Sequence, residues 1–112
     1  MNPQWKQKWI EALRSGKYKQ TRAKLRRQTG YCCLGVLCDL VDSKRWVEPP
    51  ALCCNYFEYR DPTMEGVQPT SMPPDDILIT TGLLAPLAQQ LANLNDGGAS
   101  FSEIAHWIEG NV

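Results

Sequence analysis

Tyr31-Cys32-Cys33-Leu34-Gly35-Val36-Leu37-Cys38-Asp39-Leu40-Val41 carries a single charge, Asp39, and how this run is read decides the fold. Leu34, Leu37 and Leu40 recur at a spacing of three, and only Val36 and Val41 are β-branched. That pattern favours a helix that is apolar all round, and therefore buried, over a strand. The run is too short to span a bilayer, which takes about 20 residues. It is expected to be the central helix of a globular core, ended by Asp42-Ser43-Lys44. Gly35 in its middle costs about 1 kcal/mol relative to alanine, so the expected reason for it is close approach by a neighbouring element.

The flanking segments supply partners for such a helix. Asn2 caps a helix that opens with Pro3, carries Trp5, Trp9, Ile10 and Leu13 as one stripe, and stops at Ser15-Gly16. Pro74-Asp75-Asp76 opens a short helix to about Thr81, its two acids suiting the positive end of the helix dipole. Ala85-Pro86 starts a further helix with Leu87, Leu91 and Leu94 on one face, halted by Asn95-Asp96-Gly97-Gly98. Ser100 and Glu103 form a capping box before a last helix, which turns Phe101, Ile104, Ala105 and Ile108 inward and stops at Gly110. Residues 45–74 are proline-punctuated and irregular; Leu52 to Tyr59 reads as a short strand that Gly66 to Thr70 could pair with. The expected fold class is mainly α (α+β), a single domain over 1–112 with about five helices and a short β-hairpin or irregular insertion in the middle.

The chain has 112 residues, 43% of them hydrophobic and 21% charged, and its net charge is zero. That composition is globular, and the length suits one domain. The zero conceals a lopsided layout. Residues 1–27 hold nine Lys and Arg against Glu11 alone, a balance of +8, and residues 28–112 hold three bases against eleven acids, a balance of −8. The opening residues show no secretory signal, and the five cysteines, with adjacent pairs at 32–33 and 53–54, do not resemble a disulfide framework. A cytoplasmic protein with free thiols is expected.

The residues of reactive type do not assemble into a catalytic pattern. On a helix, Cys32, Cys33 and Cys38 point in directions about 0°, 100° and 240° apart. On a strand, Cys53 and Cys54 face opposite ways, and no C-x₂-C or H-x₃-H spacing occurs. The cysteines are thus expected to pack as small hydrophobes, with no metal and no cofactor. His106, the only histidine, falls about 140° around the last helix from Phe101, on its wetter side. Asp75-Asp76 diverge at a helix start, and Gly97-Gly98 lacks the strand and lysine of a phosphate loop. A non-catalytic protein is expected.

The run Lys17 to Arg27 places six cations in eleven residues with Tyr18 interleaved, as either a short exposed helix or an ordered connector. Such a surface suits an anionic partner, unless the acids elsewhere in the chain neutralise it. Leu91 to Gly110 resembles the opening of a helix-turn-helix unit. Its last helix carries Glu103 and Glu109 with no Lys or Arg to reach DNA, and no reading helix follows, so a packing hairpin is expected.

Three stretches, KWIEALRSGKYKQ (8–20), GYCCLGVLCDL (30–40) and LANLNDGGASFSEIAHWIE (91–109), together resemble a recurrent family of small proteins encoded by tailed bacteriophages. The resemblance implies an accessory protein of the bacterial host cytoplasm and brings no assigned site. The function expected is a non-catalytic binder that inhibits a host macromolecule, a host-defence component among the candidates. The alternatives are sequestration of a small anionic nucleotide and weak nucleic-acid binding through residues 17–27. The candidate binding residues are Lys17, Lys19, Arg22, Lys24, Arg26, Arg27 and Tyr31, with Tyr56, Phe57, Tyr59 and Arg60 from the aromatic middle, whose residue types are those favoured at interface hot spots. A host protein or an anionic small ligand is the expected partner, nucleic acid ranks behind them, no membrane is expected, and homo-oligomerisation is left open.

Overall fold

Cys33–Val41 is helical, and every side chain from Cys33 to Cys38 is buried. This is the expected central helix, shortened at its start: Cys32 is its N-cap and Tyr31 lies in a two-residue strand, Gly30–Tyr31. The structure, a computed structural model, describes residues 1–49, 55–63, 65–66 and 70–112. In chain order the described elements are α1 (Pro3–Arg14), β1 (Arg26–Arg27), β2 (Gly30–Tyr31), α2 (Cys33–Val41), a 3₁₀ turn (Ser43–Arg45), β3 (Trp46–Val47), β4 (Glu58–Tyr59), α3 (Asp75–Thr81), α4 (Ala85–Asp96) and α5 (Phe101–Asn111). The radius of gyration is 13.1 Å, the value of about 13 Å expected for a compact chain of this length.

Helix α2 packs against α1 and α4, and α5 packs on those two. α1 turns Trp9, Ile10 and Leu13 inward, and the Trp9 indole N–H donates to the Cys33 carbonyl at 2.8 Å, tying the two helices at a polar point inside an apolar seam. α5 lays Phe101, Ile104, Ala105 and Ile108 into the same core from an N-terminus where the Ser100–Glu103 capping box is formed in both directions. Asn2 caps α1 by accepting from the Gln4 N–H.

Gly35 explains the path of the basic run. A Cβ added there would lie 2.7 Å from the Leu25 carbonyl carbon and closer still to its oxygen, so the hydrogen at Gly35 lets the backbone of Leu25 lie directly on α2. Leu25 is fully buried. Its carbonyl accepts from Cys32 N–H at 3.0 Å, and its own N–H donates to Thr70 at 2.8 Å. Residues 17–27 are therefore the ordered connector of the two expectations, apart from the two-residue β1.

Three expectations are corrected. First, Glu58–Tyr59 pairs antiparallel with Trp46–Val47, in the register Trp46↔Tyr59 and Val47↔Glu58, where a hairpin of 52–59 with 66–70 was expected. The reason is the anchoring of Tyr59: its hydroxyl donates toward the carbonyls of Cys38 and Asp42, both at 2.9 Å, at the end of α2, and its ring packs 4.7 Å from that of Trp46. Thr70 instead meets Leu25; residues 52–54 and 67–69 of the expected hairpin lie outside the described residues. Second, α4 buries Ala88, Leu91 and Asn95, with Leu87 and Leu94 half-buried at the margins. Asn95 turns inward because its amide is needed there. Its Oδ1 accepts from Gln20 Nε2 (2.9 Å) and Cys33 N–H (3.2 Å), and its Nδ2 donates to the Thr21 carbonyl (2.8 Å). Third, α5 runs through Gly110 to Asn111.

Candidate functional site

The small antiparallel pair β1–β2 sets Arg26 opposite Tyr31 and Arg27 opposite Gly30. On the other side of β1, the Phe57 N–H donates to the Arg26 carbonyl at 2.9 Å, and Arg27 bridges to Tyr56. Arg26 thus has an aromatic residue beside it on each flank, the arrangement in which cross-strand side chains touch. Its guanidinium lies 4.0 Å from the Phe57 ring centroid, 4.9 Å from that of Tyr31 and 5.5 Å from that of Trp46. Cation–π contacts of this kind are worth about 0.5–1 kcal/mol each when exposed and about 2 kcal/mol or more when desolvated.

The rings form a continuous row held from behind by α2. Tyr18 meets Tyr31 edge to face at 5.0 Å, Tyr31 meets Trp46 at 5.9 Å, and Trp46 meets Phe57 at 6.4 Å. Asp39, the one charge of the apolar run, accepts from the Tyr18 hydroxyl at 2.7 Å through one oxygen and from the Trp46 indole N–H at 3.0 Å through the other. Burial, followed by the Asp39 hydrogen bond and charge, holds the Tyr18 hydroxyl well above its ordinary ionisation range. Burial first, and then the Asp39 charge, raises that of Tyr31 against the opposing pull of Arg26.

The other cations of the run are arranged around this row. Lys24 stands 4.2 Å from the Tyr56 ring centroid and donates to Thr70 Oγ1 at 3.0 Å. Arg27 donates to the Arg22 carbonyl (3.1 Å) and to Asn55 Oδ1 (2.7 Å). Lys17, Lys19 and Arg22 are exposed. The ion pairs among the described residues are Arg14–Glu109, Arg45–Asp76 and Arg60–Glu58, and none includes a cation of residues 17–27. Asp96 meets the run through its backbone: its Oδ1 accepts from the N–H of Ala23, a residue at φ +70°.

The aromatic middle divides differently from expectation. Tyr56 is half-buried beside Lys24, and Arg60 is exposed, with its carbonyl accepting from Arg45 Nε. Phe57 and Tyr59 are buried, which corrects their place among partner-contacting residues. Tyr59 braces Trp46 from inside, and Phe57 forms the floor under Arg26. The expected binding residues did not include Trp46, Asp39 or Tyr18, although Tyr18 belongs to the basic run. The signals for them were a lone carboxylate in an apolar helix and a tyrosine inside the basic run.

The cysteines and histidine are separate from this surface. Cys32, Cys33 and Cys38 are buried free thiols; burial pushes Cys32 up to about 11 and the other two well above the usual thiol range. Such thiols are poor nucleophiles. Cys53 and Cys54 lie outside the described residues. Among the described residues no three His, Cys, Asp or Glu side chains gather as a metal would require. Exposed His106 lines a cleft of about 650 Å³ with Arg14, Glu103 and Trp107, and Lys17 and Tyr18 line another of about 320 Å³ with Lys8 and Leu40. No single helix among the described residues is long and apolar enough to cross a membrane; α3 and α4 meet at 104°.

The fold and surface define a small α-rich protein that carries a cationic edge on an aromatic platform. The chain belongs to the family described as a domain of unknown function, DUF8296, whose profile matches residues 1–112. No curated protein and no solved structure matches it.

Proposed function

We propose that this protein is a non-catalytic binder that engages an acidic protein surface through residues 17–27. One observation carries the reading: six cations are displayed along an ordered segment with no carboxylate paired to any of them among the described residues. Had the segment served only to balance the acids of the chain, the ion pairs would have formed there. The resemblance of the three motifs to tailed-phage proteins favours an accessory role in the bacterial host cytoplasm, in which the captured partner is a host protein, a defence component among the candidates, and its inhibition is the outcome. The aromatic platform favours a protein partner, because rings with a polar rim are the residue types that anchor such interfaces.

Affinity capture from bacterial lysate, with and without nuclease, tests the reading. The expected result is a partner retained after nuclease by the wild type and lost by the K17Q/K19Q/R22Q triple variant, whose three positions are exposed. Equal retention by the triple variant would overturn it. Loss of all retained material on nuclease treatment would transfer the surface to nucleic acid, and a nucleotide released from the purified protein would transfer it to a small anion.

A further inference from the structure

Two arginines flank the row of rings, and comparing them shows what one of them lacks. Arg45 stands 4.7 Å from the Tyr59 ring centroid. Its Nη1 and Nη2 bind the two oxygens of Asp76 at 2.6 and 3.0 Å, and its Nε donates to the Arg60 carbonyl at 2.5 Å. Ring contact and a bidentate carboxylate together fill that guanidinium. Arg26 has the ring contacts, three of them, but no acceptor among the described residues takes a hydrogen bond from its side chain, and no carboxylate lies within 4 Å.

A guanidinium presents five N–H donors around the rim of a plane. The rings that crowd Arg26 occupy its surroundings without accepting those donors in the way an oxygen would. No buried side-chain nitrogen or oxygen among the described residues is left without a partner, so the Arg26 donors reach solvent. Asp39 holds Tyr18 and Trp46 through its two oxygens and forms no ion pair with Arg26. Its role is to position the rings, and with them the guanidinium.

We propose that Arg26 is the receptor for a carboxylate side chain, an Asp or Glu of the partner, bound bidentately as Asp76 is bound by Arg45. This inference rests on the binding reading above and names the contact at its centre. The carboxylate matches the fork geometry, and the molecule itself seats that group on its other ring-backed arginine. A lysine cannot substitute, because an ammonium is a point charge without a fork.

The probe is an eight-residue glutamate peptide, titrated into the full chain at low salt and followed by the side-chain Nε–H resonances of Arg26 and Arg45 and the Trp46 indole N–H. Saturable movement of the Arg26 and Trp46 signals is expected, with Arg45 still because Asp76 holds it. R26K keeps the charge and should weaken the peptide by roughly tenfold or more, whereas K17Q should weaken it by only about two- to threefold. Peptide binding that leaves the Arg26 Nε–H unmoved, or that survives R26K unchanged while the triple variant abolishes it, would overturn the receptor role and leave the binding reading standing. No binding by the wild type would overturn both. Inorganic phosphate at matched ionic strength that saturates Arg26 more tightly than the peptide would overturn the carboxylate assignment. The wild-type resonance answers the question even if R26K fails to fold.

Discussion

Gly35→Ala separates two physical arguments that give opposite signs. Helix propensity alone favours the substitution by about 1 kcal/mol, since Gly35 lies inside α2. The structure argues the reverse. The new Cβ would meet the Leu25 carbonyl carbon at 2.7 Å and its Cα at 3.3 Å, against the roughly 3.5–4.0 Å of ordinary carbon contact, and the carbonyl oxygen lies closer still, so the Leu25 backbone must retreat by more than about 1 Å. That retreat strains the Cys32→Leu25 and Leu25→Thr70 hydrogen bonds, each worth about 1 kcal/mol net, and overpacks a buried site, which costs about 1–3 kcal/mol. After the helix gain is subtracted, a loss of about 2–4 kcal/mol remains, a large part of the 5–15 kcal/mol typical of a folded domain. Urea unfolding followed by tryptophan fluorescence measures it. With a slope near the low end of the usual range, about 1–1.5 kcal/mol/M, the midpoint should fall by roughly 1.5–4 M. A midpoint that rises would show that no backbone lies against Gly35, and the account of how Arg26 is positioned would fail with it.

Asn95→Ala should cost about 2–4 kcal/mol in the same assay, because it leaves the buried Cys33 N–H and the half-buried Thr21 carbonyl without their partner; a change under about 1 kcal/mol would refute its role as a tie. Asp39→Ala should cost about 2 kcal/mol and let the Tyr18 hydroxyl ionise at lower pH, visible in an alkaline absorbance titration; an unchanged tyrosine titration would show that the carboxylate does not hold the ring row. Alkali should destabilise the fold. The folded values of Cys32, Cys33, Cys38 and Tyr59 are raised, chiefly by burial, so below the unfolded thiol value of about 8.5 both states are protonated and stability is complete. Between there and the Cys32 value of about 11 the unfolded chain ionises first, and stability falls. Urea midpoints at pH 7, 9 and 10 should decline in that order, and a flat series would contradict the burial of the thiols.

The helices were legible because each announces itself locally. Asn2-Pro3 and Ser100-x-x-Glu103 mark starts, and the Tyr31–Val41 run has too little polarity to sit anywhere except inside. Gly35 was legible for the same reason, as a costly residue in a helix that needed a cause. The β pairing was not, since two-residue strands carry no alternation to read, and Tyr59 chose Trp46 through hydroxyl bonds to α2 that sequence spacing does not encode. The inward face of α4 was misread by counting leucines. Asn95 is polar, and only the backbone groups of Thr21 and Cys33, brought from elsewhere in the chain, make it a core residue. The basic run was legible as a surface, but its aromatic backing depended on Trp46 and Phe57, which lie well beyond it in sequence.

The same few residues that allow the core to close also fix the cationic edge. Gly35 admits the Leu25 backbone. Gly30, where a Cβ would come within 2.8 Å of the Lys19 carbonyl carbon, admits the start of the run. Tyr31 accepts Arg26 on its ring, and Asp39 steadies the rings on either side of it. Three of these four belong to the apolar run Tyr31–Val41, and none of the three is needed to fill the core with apolar volume. Their common effect is to fix the backbone that carries these cations. A segment whose backbone is already fixed loses little entropy when a partner arrives, and among the described residues Arg14, bound to Glu109, is the one cation of residues 1–27 in an ion pair. The zero net charge is therefore a property of the whole molecule and not of this edge, where an acidic partner would meet a cation already aimed and already desolvated on its aromatic side.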